Sequence, residues 1–114
     1  MSETTAAGDA GALASASLAW LGVKAGGGPD VDAAAVVAPA VVDFINGLPD
    51  VAPPWPPKVE LGAVMLAARL VRRRNSPQGV AAFTQEGGAA YVSRMDPDVA
   101  QLLRLGAYAA PQIG

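Results

Sequence analysis

Glycine and proline interrupt this chain at short intervals, and these breaks leave room only for short regular segments. A glycine triplet and a proline occupy 26–29, and five prolines fall between 49 and 57. Proline fixes φ and removes a backbone donor, whereas a glycine triplet acts as a flexible joint. We therefore expect a mainly α protein, a small bundle of about four helices, within a single domain over 12–106.

Apolar spacing and capping signals place the helices. Pro39 removes one internal hydrogen bond, so it predicts a kink or a division of its helix into two shorter ones. Asp30 is the expected N-cap of that helix, and Gly47 the left-handed residue that follows it. The third helix is apolar around most of its circumference, which is typical of a helix buried on several sides, by its own domain and by a neighbour. The predicted helices span 12–23, 31–46, 58–74 and 97–105.

The segments outside these helices are read from turn chemistry and composition. Residues 80–84 and 89–93 flank Gly87 and Gly88, a pattern that predicts a β-hairpin or a long loop between the last two helices. Such an arm could pair with a neighbouring subunit or form a flexible loop. Residues 1–11 are small and polar and are expected to be disordered. Residues 107–114, after Gly106, are expected to form an extended docking tail.

The residue types that are missing exclude several kinds of chemistry. The chain contains no histidine and no cysteine, which excludes Ser-His-Asp and Cys-His catalysis and the usual zinc ligand sets. Asp96 and Asp98 could form a metal or acid pair, but an acid before and after Pro97 is explained better by helix capping. We therefore expect no enzymatic activity, no metal and no cofactor.

Charge and hydropathy argue against a nucleic-acid-coating, a secreted or a membrane-spanning protein. The net charge is −2 and the pI is about 4.8, values that argue against a protein whose main task is to coat nucleic acid. The acidic, polar start differs from a signal peptide. The longest apolar run, 31–45, is interrupted by Asp32, Pro39 and Asp43 and is shorter than the roughly 20 residues of a membrane span.

Hydrophobic residues make up 52% of the chain and charged residues 16%, a charged share below the usual value of about 25%. One explanation is an assembly subunit whose apolar surface is covered by another protein. The other is an excess of alanine, which exposes little apolar area. Both can hold together.

Candidate interface residues are the aromatic side chains and the arginines around the end of the third helix. Trp55, among prolines, either folds back over the core or anchors a subunit contact. Arg69, Arg72 and Arg73 share one side of the helix, where they favour dipole and ion-pair interactions, a phosphate contact or a partner protein. The candidates are Trp55, Arg69, Arg72, Arg73, Arg74, Phe83, Tyr91, Tyr108 and Ile113.

Three patterns in the second half of the chain occur together. They are Arg-Arg-Arg-Asn-Ser-Pro-x-Gly-Val at 72–80, Asp-Pro-Asp-Val-x-x-Leu-Leu at 96–103 and a short end with proline and glycine at 111–114. In this order they resemble the head-to-tail connector (adaptor) proteins of tailed bacteriophages, in particular phages that infect actinobacteria. The resemblance covers 57–114 well and the first half only in its helical layout.

The resemblance implies a structural virion protein at the head-tail interface, assembled in the host cytoplasm and without a membrane role. It implies a ring, commonly of about twelve subunits, closed by head-to-tail contacts and seated on the portal protein. Residues 105–114 would grip the portal. DNA would pass through the ring without sequence-specific binding, and the next head-completion or tail protein would assemble on it.

A different class of function stays open. Arg69 to Arg74 could belong to a small helical DNA-binding regulator. Such a protein would bind duplex DNA with an affinity that falls steeply with salt, and the acidic pI counts against it.

Overall fold

The computed structural model describes residues 9–23, 28–48, 51, 54–73, 83–85 and 87–105. Within these segments the regular structure is helical throughout, and the predicted mainly α fold is confirmed. The helices are α1 (Ala10–Trp20), α2 (Pro29–Asn46), α3 (Pro57–Arg72), α4 (Gly88–Met95) and α5 (Pro97–Leu103), and residues 83–85 are helical too. The predicted tail at 107–114 lies outside the described residues.

Helix α1 starts earlier than predicted because Asp9 caps it. The Asp9 carboxylate accepts hydrogen bonds from the backbone N–H groups of Gly11 (2.9 Å) and Ala12 (3.3 Å). Part of the segment that was expected to be disordered, 1–11, therefore belongs to a capped helix; residues 1–8 lie outside the described residues. Gly22 adopts φ +75°, and the chain leaves α1 through a left-handed C-terminal turn.

Helix α2 departs from the predicted pattern at both ends. Pro29 takes the first helical position, where its fixed φ suits a helix start, so Asp30 is a first-turn acid and the N-cap prediction is wrong. Gly47 has φ −85° rather than a left-handed conformation, and its N–H donates to the carbonyl of Asp43 (3.1 Å). Of the two outcomes predicted at Pro39, a kink or a division, the division is wrong, because α2 continues through Pro39 as one helix of 18 residues.

Helix α3 lies at the centre, as predicted for a helix that is apolar around most of its circumference. It packs against α1 and α2 on one side and against α5 on another. At Gly62 the side chain of Leu103 approaches so closely that a Cβ would lie 2.9 Å from its Cδ2 atom. The buried side chains of α3 are Val59, Ala63, Leu66, Ala67, Ala68, Leu70 and Val71.

The hairpin predicted for 80–84 and 89–93 is not formed in the described part of the chain. Residues 89–93 belong to α4 instead, and Gly87, with φ +91°, is its N-cap. A helix lets Tyr91 and Val92 turn into the core together, while period-two spacing would place neighbours on opposite faces. Gly88 lies so close to Phe44 that a Cβ would be 2.4 Å from the ring.

Helix α5 ends before the predicted glycine stop at 106. Arg104 takes the left-handed conformation that ends it, with φ +57°. The N–H of Leu105 then donates to the carbonyl of Ala100 (2.9 Å), which satisfies one of the last helical carbonyls. The buried Leu105 side chain, directly after this left-handed residue, contributes to the core.

Candidate functional site

The densest polar cluster in the described part of the chain joins the end of α3 to the junction of α4 and α5. We call it the arginine–aspartate network: Arg69, Arg73, Tyr91, Asp96 and Asp98. Arg73 donates to both carboxylate oxygens of Asp96 at 2.7 and 2.8 Å. Arg69 donates to Asp96 at 3.1 Å and to both oxygens of Asp98 at 2.6 Å.

Helix geometry explains why these side chains meet. Arg69 and Arg73 are four residues apart on α3 and therefore project from one face. Asp96 separates α4 from α5, and Asp98 lies in the first turn of α5. Arg69, Arg72 and Arg73 line one common groove, which confirms that they share a side of the helix.

The capping role predicted for Asp96 is wrong for its side chain. Asp96 stands at the N-cap position, but it makes no side-chain capping hydrogen bond, because the two arginines occupy its carboxylate. Asp98 accepts from the backbone N–H of Val99 (3.0 Å) as well as from Arg69. The acids that suggest helix capping in the sequence therefore serve mainly as partners for arginines.

The network balances a buried charge. Asp96 is 3% exposed, and a carboxylate in that position requires compensating donors. Hydrogen bonding to Asp98 raises the pKa of Arg69, and hydrogen bonding to Asp96 raises that of Arg73. The Arg69 guanidinium lowers the pKa of Asp98 to about 2.

Tyr91 extends the network into the aromatic part of the core. Arg73 donates to its hydroxyl at 3.2 Å, and the guanidinium carbons of Arg73 and Arg94 lie 5.9 and 5.7 Å from its ring centroid, at cation–π distance. The ring of Phe83 packs edge-on against those of Tyr91 and Phe44, at centroid distances of 5.8 and 5.3 Å.

The network holds helices together rather than presenting free chemical groups. Each oxygen of Asp96 and Asp98 accepts a hydrogen bond from the protein itself. Among the described residues no group of three or more acidic side chains is placed to hold a metal ion. What the geometry provides is a directional link between α3 and the α4–α5 pair.

An open groove of about 390 Å³ lies beside the network. Trp20, at the end of α1, is 55% exposed along one wall. Arg72 is 54% exposed along another, and its Nη1 atom lies 3.7 Å from an oxygen of Asp30, beyond hydrogen-bond distance. We call this the Trp20 groove; it is lined by Trp20, Leu21, Ala68, Arg69, Arg72, Arg73 and Asp96.

The aromatic interface candidates that lie within the described residues are buried in the core. Trp55 is buried and its Nε1 donates to Asn46 Oδ1 at 2.8 Å, so it folds back over the core, the first of its two alternatives. Phe83 and Tyr91 are buried as well. Arg74, Tyr108 and Ile113 lie outside the described residues.

Other large apolar side chains are exposed, and the sequence prediction missed them. They are Trp20, Val36, Leu61 and Met95. Val36 could have been found, because it lies on the side of α2 opposite the buried Val37 and Val41 at 100° per residue.

Comparisons with protein-family models, with curated proteins and with solved structures find no match for this chain. The resemblance to phage connector proteins therefore rests on the sequence patterns alone. Within the described segments, none of the helices has both the length and the hydropathy required to cross a bilayer.

Proposed function

We propose that this chain is a head-to-tail connector subunit of a tailed bacteriophage, which forms a ring between portal and tail. The observation that carries the proposal is a contrast between the charged side chains, which are paired within the subunit, and the large apolar side chains, some of which are exposed. The charged groups of the arginine–aspartate network bond to one another, while Trp20 and Val36 are more than half exposed. An exposed tryptophan is the kind of side chain that most often dominates a protein–protein contact.

The arginine–aspartate network, with Asp96 buried at its centre, suits an assembly role because it fixes the shape of the subunit. Apolar packing alone is non-directional, whereas the bidentate Arg73–Asp96 pair determines both distance and orientation. A subunit that repeats around a ring needs the same geometry in every copy, since closure depends on one fixed rotation between neighbours.

The same geometry disfavours the DNA-binding alternative. Two of the arginines that would contact phosphates, Arg69 and Arg73, already bond to Asp96 and Asp98. Their charge is balanced before any ligand arrives. A channel wall that lets DNA pass without holding it is compatible with such pairing and with the chain's net charge of −2.

The test is the mass of the protein in solution by light scattering, alone and after mixing with the cognate portal protein. A duplex DNA titration at two salt concentrations runs beside it, with portal alone as the control for mass. We expect a ring or a portal complex and little DNA affinity. A protein that ignores the portal but binds duplex with steep salt dependence would overturn the proposal in favour of the regulator.

A further inference from the structure

We infer that the exposed face of α2 in one copy docks into the Trp20 groove of a second copy. The inference rests on the proposed function and deepens it, because a ring requires a contact between two different surfaces of the same subunit. The α2 face is defined here as the α2 stripe: Asp32, Val36, Pro39 and Asp43. The four residues are all exposed.

The stripe is continuous along the helix. Its residues are separated by four, three and four positions, so they fall within about 60° of one another at 100° per residue. Val36 is 64% exposed, the highest exposure among the large apolar residues that the structure describes as exposed. Val36 and Pro39 form the apolar centre of the stripe, and an aspartate lies at each end of it.

The groove offers the complementary chemistry. Trp20 supplies an exposed apolar ring for Val36 and Pro39, and the charge of Arg72 complements the stripe's acids. Arg72 is 54% exposed and lies 3.7 Å from Asp30, beyond hydrogen-bond distance; an ion pair made by so exposed an arginine contributes little stability. An incoming carboxylate can therefore replace Asp30 at small cost.

The two halves of the chain differ in net charge in the same sense as the stripe and the groove: the first is acidic and the second basic. Residues 1–60, which include the stripe, contain seven acidic and two basic residues, whereas 61–114 contain three acidic and six basic residues. Copies with such an uneven distribution attract each other when the acidic part of one faces the basic part of the next. This complementarity favours a second copy as the occupant of the groove.

The two surfaces do not overlap within one subunit. The stripe lies opposite the α2 residues Val37, Val41 and Ile45, which are buried in the core, whereas the groove is built from the ends of α1 and α3 with Asp96. One copy can therefore use both surfaces at once. Contacts of this type extend from copy to copy and close into a ring when the rotation allows.

The predicted contact is small, since it involves one helix face and one groove. Contacts of this size lie at the weak end of protein interfaces. We therefore expect the isolated protein to associate only at high concentration, toward the upper end of the micromolar to millimolar range. Raising the salt concentration should weaken the contact, because its charged groups are exposed.

The test is sedimentation velocity from about 10 μM to about 1 mM, a range that covers weak interfaces. Two variants reverse one charge each: Asp43→Arg on the stripe and Arg72→Glu in the groove. Either variant alone places like charges together, so its self-association should be at least about tenfold weaker than that of the wild type. Lys58→Glu, an equal reversal on an exposed residue of α3, is the control and should associate normally.

Mixing the two variants makes the test specific. In the mixture, the reversed stripe meets the reversed groove and the unchanged surfaces meet each other, so association should return. A fault in folding would not be repaired by mixing. Circular dichroism melts of each variant check that the helices are intact.

Three results overturn the inference: a wild type that stays monomeric over this range, variants that associate like Lys58→Glu, or a mixture that shows no recovery. These results leave the proposed function standing if the wild type still binds portal protein by light scattering. Loss of portal binding with charge-dependent self-association intact would instead refute the connector function and keep the stripe–groove contact.

Discussion

The two sides of α3 are held by different forces. On one side, α1 and α2 pack against it through small aliphatic side chains such as Leu13, Val41 and Leu66. On the other side, α5 packs through Leu103, and the network of Arg69, Arg73 and Asp96 fixes the α4–α5 junction. Packing of α1 and α2 on α3 therefore depends on how much apolar volume is buried, whereas packing of α4 and α5 depends on the geometry of an ion-pair network.

This contrast has a physical basis. Burial of apolar surface is roughly proportional to area and has no preferred direction, so aliphatic helices can pack in several related ways. A bidentate ion pair at 2.7 to 2.8 Å is directional. Helices α4 and α5, with 8 and 7 residues, are too short to be stable alone and need such a constraint.

Leu66→Ala should produce the largest loss on the apolar side. Leu66 is fully buried at the centre of α3, and truncation removes apolar contacts and leaves a cavity, at a cost of about 3 kcal/mol. Urea unfolding followed by circular dichroism measures the loss. Leu61→Ala, on the same helix but 40% exposed, should cost less than about 1 kcal/mol. Equal losses for the two variants would contradict the assignment of α3 as the core helix.

Asp96→Asn should produce the largest loss on the ionic side, about 2 to 3 kcal/mol. It leaves the guanidinium groups of Arg69 and Arg73 without their shared buried partner, and their own partial exposure keeps the loss at the low end for a broken buried pair. The measurement is the same unfolding curve, taken near neutral pH.

Neighbouring arginines provide the control for this prediction. Arg73→Met and Asp96→Asn together should cost less than the sum of the single changes, because the double variant leaves fewer unpaired charges. Arg72→Met should cost less than about 1 kcal/mol, since Arg72 is 54% exposed and lies 3.7 Å from Asp30, beyond hydrogen-bond distance. If Arg72 and Arg73 proved equally important, the ion pairs would not be what joins α3 to α4 and α5.

Gly88→Ala tests the contact between α2 and α4, where the two sides of the molecule meet. A Cβ at Gly88 would lie 2.4 to 2.9 Å from Phe44, whose ring also packs against Phe83. The ring cannot shift freely, so we expect a loss of about 1 to 2 kcal/mol. Gly11→Ala in α1 is the matched control, because its Cβ would meet only Asp9 Oδ1, at 3.4 Å. A neutral Gly88→Ala would show that this contact is loose.

The apolar half was easier to predict from the sequence than the ionic half. Helical spacing located α2 and α3 to within two residues at each end, because a wide apolar face repeats over many positions. Short segments carry less signal. The pattern at 80–84 and 89–93 predicted a hairpin or a long loop, but 83–85 and 89–93 are helical, with Phe83 and Tyr91 buried.

The network was visible in the sequence only as separate parts. Arg69 and Arg73 share a face, and Asp96 and Asp98 flank a proline, but 23 residues separate Arg73 from Asp96. Local capping rules explain the aspartates without any distant partner. Which acid meets which arginine depends on how α5 packs on α3, and that follows from tertiary contacts such as Gly62 with Leu103.

Asp98→Asn should have the smallest effect and the most distinctive pH dependence. Hydrogen bonding from Arg69 lowers the pKa of Asp98 from 3.8 to about 2 in the folded state. The folded state thus favours the ionised form, so the Arg69–Asp98 pair adds stability above about pH 4, and this contribution disappears as the pH falls toward 2. Because Asp98 is 55% exposed, the contribution should stay below about 1 kcal/mol.

A double-mutant cycle of Arg69→Met and Asp98→Asn, measured by thermal unfolding at about pH 6 and again at about pH 2, isolates this term. The coupling energy should be favourable at the higher pH and near zero at the lower one. Arg69 also bonds to Asp96, and the cycle cancels that contact because it is lost in both variants that lack Arg69. A coupling that persists unchanged at low pH would mean that packing, rather than charge, connects Arg69 to α5.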